Sequence, residues 1–516
     1  MAAPFHFEQT LAFSPEHATD VLREIPTLPG VFALRAPHTP GQPEPEPYLT
    51  RAADLRRRIT RILAPPDSQS KRLNLRDRVA QIEYTVTGSE FESTFTLYHA
   101  AASAFGLAEA RRRLRLHTPF CIRFTAENAY PRVYSTNRLS KRRLADTYGP
   151  FPSRAAADRY IDAVLDLFKL RRCYEDLAPY PEHPGCVYGE MNKCLAPCNQ
   201  ACTPAGAAAY AAEAASVKRF LDTRGESMIV DIGLEREEAS AAMEFEKAAA
   251  LHAQWHKVKA AQALADELAQ PLPNLRAIIV QKSAAPTGCP MSDGTSSDVG
   301  ILPPTMSIPT SMAAGPDHAA IFLLQAGCLT GPAHLSTLGV RAVKEQTSVG
   351  SSLFAQPLML EAVPLEGEAT PTESPELRAS SVIASLEQRA STPTDLATLS
   401  DHLSLLRRWY YRPEKQRTGE VFFPNANGAA AEGKLAWPIR RILRGAARMA
   451  LGEPAPIADT QRDLAQKNPN PLNSEDPEQG THRTKILHEG RPDIERVVHV
   501  IDLPPTFTSR RKPRSR

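Results

Sequence analysis

The sequence has no long hydrophobic run. No apolar stretch of the 516-residue chain approaches the ~20 residues that a membrane-spanning helix needs. The longest, residues 319–329, is expected to be one buried strand. The opening MAAPFHFEQT has no basic stretch leading into an apolar one, so no secretory signal is expected and the chain is read as cytoplasmic. A surplus of one charge is also missing: 61 Lys+Arg against 58 Asp+Glu leave +3. Any attraction to a polyanion must therefore come from local blocks. Proline is the excess, at 46 residues where ~5% is usual, and predicts long linkers or disordered tracts. The apolar fraction of 42% with 23% charge is that of a soluble globular chain, and the length predicts roughly three or four folding units.

Local charge blocks are present. Residues 51–78 carry nine Lys/Arg against three acids, and residues 107–143 carry ten against two. The last seven residues, RRKPRSR, carry five positive charges. Phosphate neutralisation supplies most of the affinity of nucleic-acid binders. The candidate DNA contacts are therefore Arg51, Arg56, Arg57 and Arg58, with Arg111, Arg112, Arg113 and Arg115.

Patterning predicts an α/β multidomain chain. After an amphipathic lead-in over 1–27, residues 31–34 read as a strand and 36–47 as a proline-rich loop. Residues 55–63 read as a helix with arginines on its open face, and 81–87 as a strand. Residues 89–110 look helical, 119–134 β-rich, and 153–170 a capped helix. The Ala/Glu-rich stretch 204–269 predicts a helical hairpin. Residues 275–282 and 319–329 read as strands of a further domain, separated by a Pro/Ser-rich insertion over 283–316. Helices over 401–450 surround Trp409, Tyr410 and Tyr411, read as core, and a short strand (EVFF). From 453 to 516 a disordered basic tail is expected, with one short strand at 497–501.

Cys173, Cys186, Cys194 and Cys198 stand in the spacing C-x12-C-x7-C-x3-C, with Cys202 just beyond. Disulfides are disfavoured in the cytosol, and clustered thiolates there point to metal. Four thiolates can close a tetrahedral zinc site or hold an iron–sulfur cluster. The uneven spacing fits the cluster better, with zinc the alternative. Cys121, Cys289 and Cys328 read as packing residues.

Several segments, taken in order, carry a resemblance. They are Leu28-Pro29-Gly30-Val31-Phe32; Tyr48-Leu49-Thr50-Arg51 with Leu55 and Arg58; and Tyr148-Gly149-Pro150-Phe151-Pro152-Ser153. Then come Leu170-Arg171-Arg172-Cys173, Cys186-Val187-Tyr188 and Cys194-Leu195-Ala196-Pro197-Cys198, and finally Met243-Glu244-Phe245-Glu246-Lys247-Ala248-Ala249. From residue 28 to about 260 this order resembles UvrC, the nuclease component of the UvrABC excinuclease of bacterial nucleotide excision repair. In extent it resembles the short homologues that lack the C-terminal nuclease. The resemblance implies a GIY-YIG nuclease-like domain over 1–110, a basic and Cys-cluster region over 111–203, and a UVR-like hairpin over 204–269. An α/β middle region over 270–452 and the tail over 453–516 complete the expected organisation. It further implies a four-iron, four-sulfur cluster on Cys173, Cys186, Cys194 and Cys198. The implied partners are damaged DNA and UvrB, with UvrA indirectly, in the SOS response. Met243, Phe245 and Ala249 are the implied UvrB contacts, and His252-Ala253 stand where the family usually has Arg-Asp.

Carried over residue by residue, Tyr48 matches the family's second motif tyrosine, Arg58 its helix arginine and Arg51 its lysine. Phe32 replaces the first tyrosine, Thr50 a glycine, and Ile62 a further tyrosine. Leu97 falls where the family's metal-ligating glutamate belongs. Leucine offers no oxygen to a hard cation such as Mg. A degenerate nuclease site is expected. The alternative is an active endonuclease making the 3′ incision with a displaced carboxylate, Glu90 or Glu92. Neither an RNase H-like carboxylate set nor a helix-hairpin-helix pair is recognisable further on.

Overall fold

The computed structural model describes residues 5–37, 45–65, 73–284, 318–337, 340, 374–390, 395–413, 416–424 and 436–452. The expected insertion from 285 on, the tail over 453–516 and Cys289 lie outside them. The described chain is mixed α/β, with three small antiparallel sheets.

The first sheet has the order β1-β4-β2-β3, from β1 (Gln9–Ala12), β2 (Gly30–Arg35), β3 (Tyr48–Ala52) and β4 (Gln81–Val86). Strand alternation sorts its side chains onto two faces. Phe32, Leu34, Tyr48, Ile82 and Tyr84 pack with α1 (Ala18–Glu24) and α2 (Leu55–Leu63). Asp54 caps α2 by accepting from the Arg57 N–H at 2.8 Å. The other face meets α3 (Glu90–Phe105), capped by Ser89. The single helix expected over 89–110 breaks at Gly106, whose φ of +81° ends α3 before α4 (Leu107–Arg113).

The second sheet, β6-β5-β7, uses β5 (Phe120–Phe124), β6 (Val133–Thr136) and β7 (Thr147–Phe151). Against it α5 (Arg154–Leu167), capped by Ser153, buries Tyr160, Ile161 and Val164. Two short helices, α6 (Val187–Glu190) and α7 (Pro197–Gln200), carry the cysteine loop. Residues 204–262 form three helices where a hairpin was expected: α8 (Pro204–Asp222), α9 (Glu226–Ala241) and α10 (Phe245–Gln262). The Ala/Glu-rich pattern runs through the α8–α9 turn, where Gly225 adopts φ +81°. Tyr210, Val217 and Phe220 of α8 join the α5 core, and α9 and α10 make the hairpin.

The third sheet, β10-β9-β8-β11, uses β8 (Arg276–Lys282), β9 (His318–Gln325), β10 (Cys328–Ser336) and β11 (Glu420–Phe422). The run 319–329 is two strands, not one. Ala326 (φ +49°) and Gly327 (φ +79°) make a two-residue hairpin turn inside it. Helices α11 (Pro375–Arg389), α12 (Leu396–Tyr410) and α13 (Ile439–Leu451) cover the sheet. Because both faces are buried, β9 is apolar from Ala319 to Leu324. Ala320, Phe322 and Leu324 join the core of α3 and α12, whereas Ala319, Ile321 and Leu323 join that of α11 and α13. Helix α3 is thus shared by two sheets. Phe91 and Phe95 lie ring to ring with Phe322 at 5.1 and 5.9 Å. Before α3, a Cβ on Gly88 would stand 2.1 Å from the Lys282 carbonyl oxygen, so only glycine lets the two strands pass. None of the described helices is long and apolar enough to cross a membrane.

Candidate functional site

The carried-over nuclease residues fall on two sides of the first sheet. Phe32, fully buried, pairs with Thr50 across β2 and β3, and its ring lies 6.3 Å from that of Tyr48. Ile62 is buried in the same core. Arg58 is half-buried on α2, with no side-chain partner among the described residues. Arg51 serves the α3 side, where it donates to Glu90 Oε1 at 2.9 Å. Leu97 is half-buried on α3, outside the cluster of Phe32, Tyr48 and Ile62.

The two nearby carboxylates have different fates. Glu90 accepts from both terminal nitrogens of Arg412, at 2.6 and 3.0 Å, and from Arg51. These guanidiniums, Arg412 foremost, hold its carboxyl down to about 2 against the opposing effect of burial. Glu92 is only 4% exposed and accepts from the Gly88 N–H at 2.8 Å. Burial pushes its carboxyl up to about 7; the Gly88 bond opposes this and nearby Glu8 adds to it.

Most of the arginines expected to meet DNA are bound within the protein. Arg56 donates to the carbonyls of Ile25 and Arg23. Arg111 is tied to Asp401 at 2.7 Å and to the Ala397 carbonyl. Arg112 and Arg113 pair with Glu109, and Arg113 also with Glu46. Among the described residues, Arg57, Arg58 and Arg115 keep side chains without partners, as do Arg61 on α2 and Arg440, Arg441 and Arg444 on α13. The last four were not singled out from the sequence. Their signal was available: neither α2 nor α13 contains an acid that could pair at helical spacing.

The four cysteines of the cluster come together. Cys194 and Cys198 are buried, Cys173 and Cys186 half-buried, and Cys202 exposed. Burial raises the Cys194 thiol to about 11, and Cys186, Cys173 and Cys198 are close enough to add to the rise. The Ala196 N–H donates to Cys194 Sγ at 3.3 Å, from a backbone held at φ +46°. Arg171, 3% exposed, donates to the Glu175 carbonyl at 2.8 Å and faces Cys173 Sγ at 3.9 Å. Among the described residues no carboxylate meets this buried cation, and its Nε has no partner. A buried charge of this kind needs a counter-charge, which cysteines supply only once they are deprotonated, as on a metal. Four thiols beside a buried cation are the donor types that a thiolate-held centre uses. As they stand, no three His, Cys, Asp or Glu among the described residues are grouped tightly enough to hold one ion. Cys121 and Cys328 are buried, as packing residues should be.

At the α9–α10 turn, Met243 is 75% and Phe245 69% exposed, and Ala249 is exposed one turn on. Met243 adopts φ +59°.

The family model for the UvrC/Cho excinuclease middle domain matches residues 120–220. That span covers the second sheet, α5, the four cysteines and most of α8. Over part of its length the chain is also similar to UvrC proteins. It is similar to the UvrABC system protein C of Aliivibrio salmonicida, 28% identical over 237 residues, 45% of this chain and 38% of that protein. It is likewise similar to that of Alcanivorax borkumensis, 28% over 215 residues, 42% and 34% of the two chains. With that of Chelativorans sp. it shares 26% over 251 residues, 47% and 35%. The chain thus spans little more than a third of the length of these UvrC relatives. No solved structure matches it.

Proposed function

We propose that this chain is a UvrC-like component of nucleotide excision repair that binds damaged DNA and docks on UvrB, with a nuclease-like sheet that no longer works as a nuclease. One observation carries the reading: the UvrC middle-domain match falls on the module that gathers Cys173, Cys186, Cys194 and Cys198. These thiolates would hold an iron–sulfur cluster, with zinc the alternative. Such a group, when bound, would supply covalent cross-links between the segment after α5 and the loop that carries α6 and α7. Arg171 would offset its negative charge, and the Ala196 N–H donates to the Cys194 sulfur. The open Met243, Phe245 and Ala249 would meet UvrB. The cations Arg57, Arg58, Arg61 and Arg115, unpaired among the described residues, would meet phosphates.

The loss of nuclease activity rests on Leu97 and on the state of the two carboxylates that could replace its missing oxygen. Glu90 is held by two arginines and Glu92 is buried on a backbone N–H. Without a metal to offset charge on the transferred phosphate, the barrier rises by several kcal/mol. The test is a nicking assay. Anaerobically purified protein, assayed for iron and zinc, is mixed with UvrA, UvrB, Mg and a lesion-bearing duplex. The expected result is binding to UvrB and DNA without incision. A 3′ incision abolished by Tyr48→Phe or Arg58→Ala would overturn the inactive reading and establish an endonuclease with a displaced carboxylate.

A further inference from the structure

Between α3 and α12 lies a pocket of about 100 Å³. Arg51, Arg408, Arg412 and Glu90 line it, over a floor that includes Phe91 and Trp409. Three guanidiniums face one carboxylate, so the pocket holds a surplus of positive charge. Arg408 donates to two carbonyls, that of Leu114 at 2.8 Å and that of Arg115, and pairs with no acid among the described residues. Arg407 beside it has no side-chain partner among them. The pocket is built by two distant segments, since Arg51 belongs to β3 and Arg412 follows α12.

Glu90 reveals what this arrangement recognises. Arg412 grips both its oxygens and Arg51 takes one of them again. A planar guanidinium fork matches the two oxygens of a carboxylate and the two non-bridging oxygens of a phosphodiester alike. The Glu90 side chain is 44% exposed, with Arg51 at 39% and Arg412 at 34%. Ion pairs this open are screened by water and contribute little, so an external anion can displace the carboxylate.

We propose that this pocket is a phosphate site for a nucleic-acid strand, with Glu90 as an internal plug that the phosphate replaces. The inference rests on the DNA-binding reading above and adds a specific subsite to it.

The test measures fluorescence anisotropy of a labelled single-stranded oligonucleotide with the full chain, and thermal shift with inorganic phosphate. Glu90→Gln keeps the shape and removes the competing charge. It should tighten oligonucleotide binding roughly 3- to 10-fold, as removal of a like charge from a phosphate contact does. Arg412→Gln should weaken binding by a similar factor and lower the slope of log affinity against log salt by about 0.7, one single-strand phosphate contact. If Arg412→Gln fails to fold, Glu90→Gln still decides, because misfolding does not produce a gain. Unchanged or weaker binding by Glu90→Gln overturns the proposal. A phosphate-induced shift that depends on Glu90 and Arg412, with no change in oligonucleotide affinity, overturns the nucleic-acid assignment in favour of a free phosphate ligand. Binding lost on Arg57→Gln with Arg61→Gln but indifferent to Glu90→Gln sinks this subsite and leaves the proposed function intact. No oligonucleotide binding by the unmodified chain sinks both.

Discussion

The first sheet and the cysteine module hold their polar chemistry in opposite ways. In the first sheet, positions that a nuclease would use are taken over by the core or by ion pairs: Phe32 and Ile62 are buried, and Arg51 is bound to Glu90. In the module, the Cys194 thiol feels the other three, and Cys173 lies beside a buried arginine that meets no carboxylate among the described residues. The first region is complete without any added group. The second has a buried cation and thiols that the proposed centre would use. Chemistry lost from a packed sheet leaves the fold standing, whereas thiolates that tied a loop together through a metal could not be lost without losing the loop.

The sharpest way to break this contrast is at Cys194. Cys194→Ala should remove the bound metal and with it the order of the loop over 173–202. Binding of a structural metal is worth about 10 kcal/mol or more in small thiolate sites, and that energy is folding energy. Metal content and limited proteolysis read the effect. Full metal content with unchanged protease resistance would refute the idea that the module depends on its centre.

The next effect falls at the join of the first sheet with the third. Asp401, 1% exposed, accepts from Arg111 at 2.7 Å and from the Tyr98 hydroxyl at 3.2 Å. Asp401→Ala leaves both donors without their acceptor, and the buried hydroxyl cannot reach water. A loss of about 2–4 kcal/mol is expected in urea unfolding. Metal content should not change. A parallel loss of metal would show that the two regions are one cooperative unit and would dissolve the contrast.

A pH-dependent effect follows at Glu92. Its folded pKa, about 7, lies above the ordinary 4.5 because the side chain is buried. The folded state therefore keeps a proton that the unfolded state releases. This penalty is absent below pH 4.5, grows as pH rises, and is complete above 7. Glu92→Gln keeps an oxygen for the Gly88 N–H and removes the penalty. The variant should be more stable than the unmodified chain at alkaline pH, by on the order of 2 kcal/mol, and equal to it in acid. Denaturant curves at both ends check this. A variant less stable at alkaline pH would mean that the carboxylate is held ionised by a favourable partner, and Glu92 would again be a candidate ligand.

How much of this was legible in the sequence depended on whether local signals marked the boundary. Helix α2 ran over the expected residues because Asp54 caps it and its apolar positions recur at helical spacing. Strand β2 was legible for the same kind of reason. The run 319–329 hid a turn because neither Ala326 nor Gly327 interrupts its apolar composition. The break at Gly106 was hidden because one glycine in a helical pattern is usually tolerated. In the site, the cysteine spacing was readable: the Cys194 thiol lies within electrostatic reach of Cys173, Cys186 and Cys198, although no three are grouped tightly enough to hold one ion. The partners of the arginines were not. Arg111 finds Asp401 and Arg51 and Arg412 share Glu90 across long stretches of chain, and no periodicity encodes a long-range ion pair.

The smallest effect asks whether the first sheet could take its chemistry back. Phe32→Tyr restores the hydroxyl that the UvrC resemblance leads one to look for. The Phe32 ring is fully buried between Tyr48 and the α2 core. Its cluster is apolar apart from the hydroxyls of Tyr48 and Tyr84. An added hydroxyl that finds no partner costs about 1–2 kcal/mol, since it gives up water without a replacement bond. Thermal unfolding of the variant should show that loss, and the nicking assay should stay silent, because Leu97 still lacks an oxygen. A variant as stable as the parent would mean that the new hydroxyl reaches a polar partner or water. The sheet would then keep a polar cleft at the place where a nuclease needs one. The contrast with the cysteine module would narrow to the single missing carboxylate at residue 97.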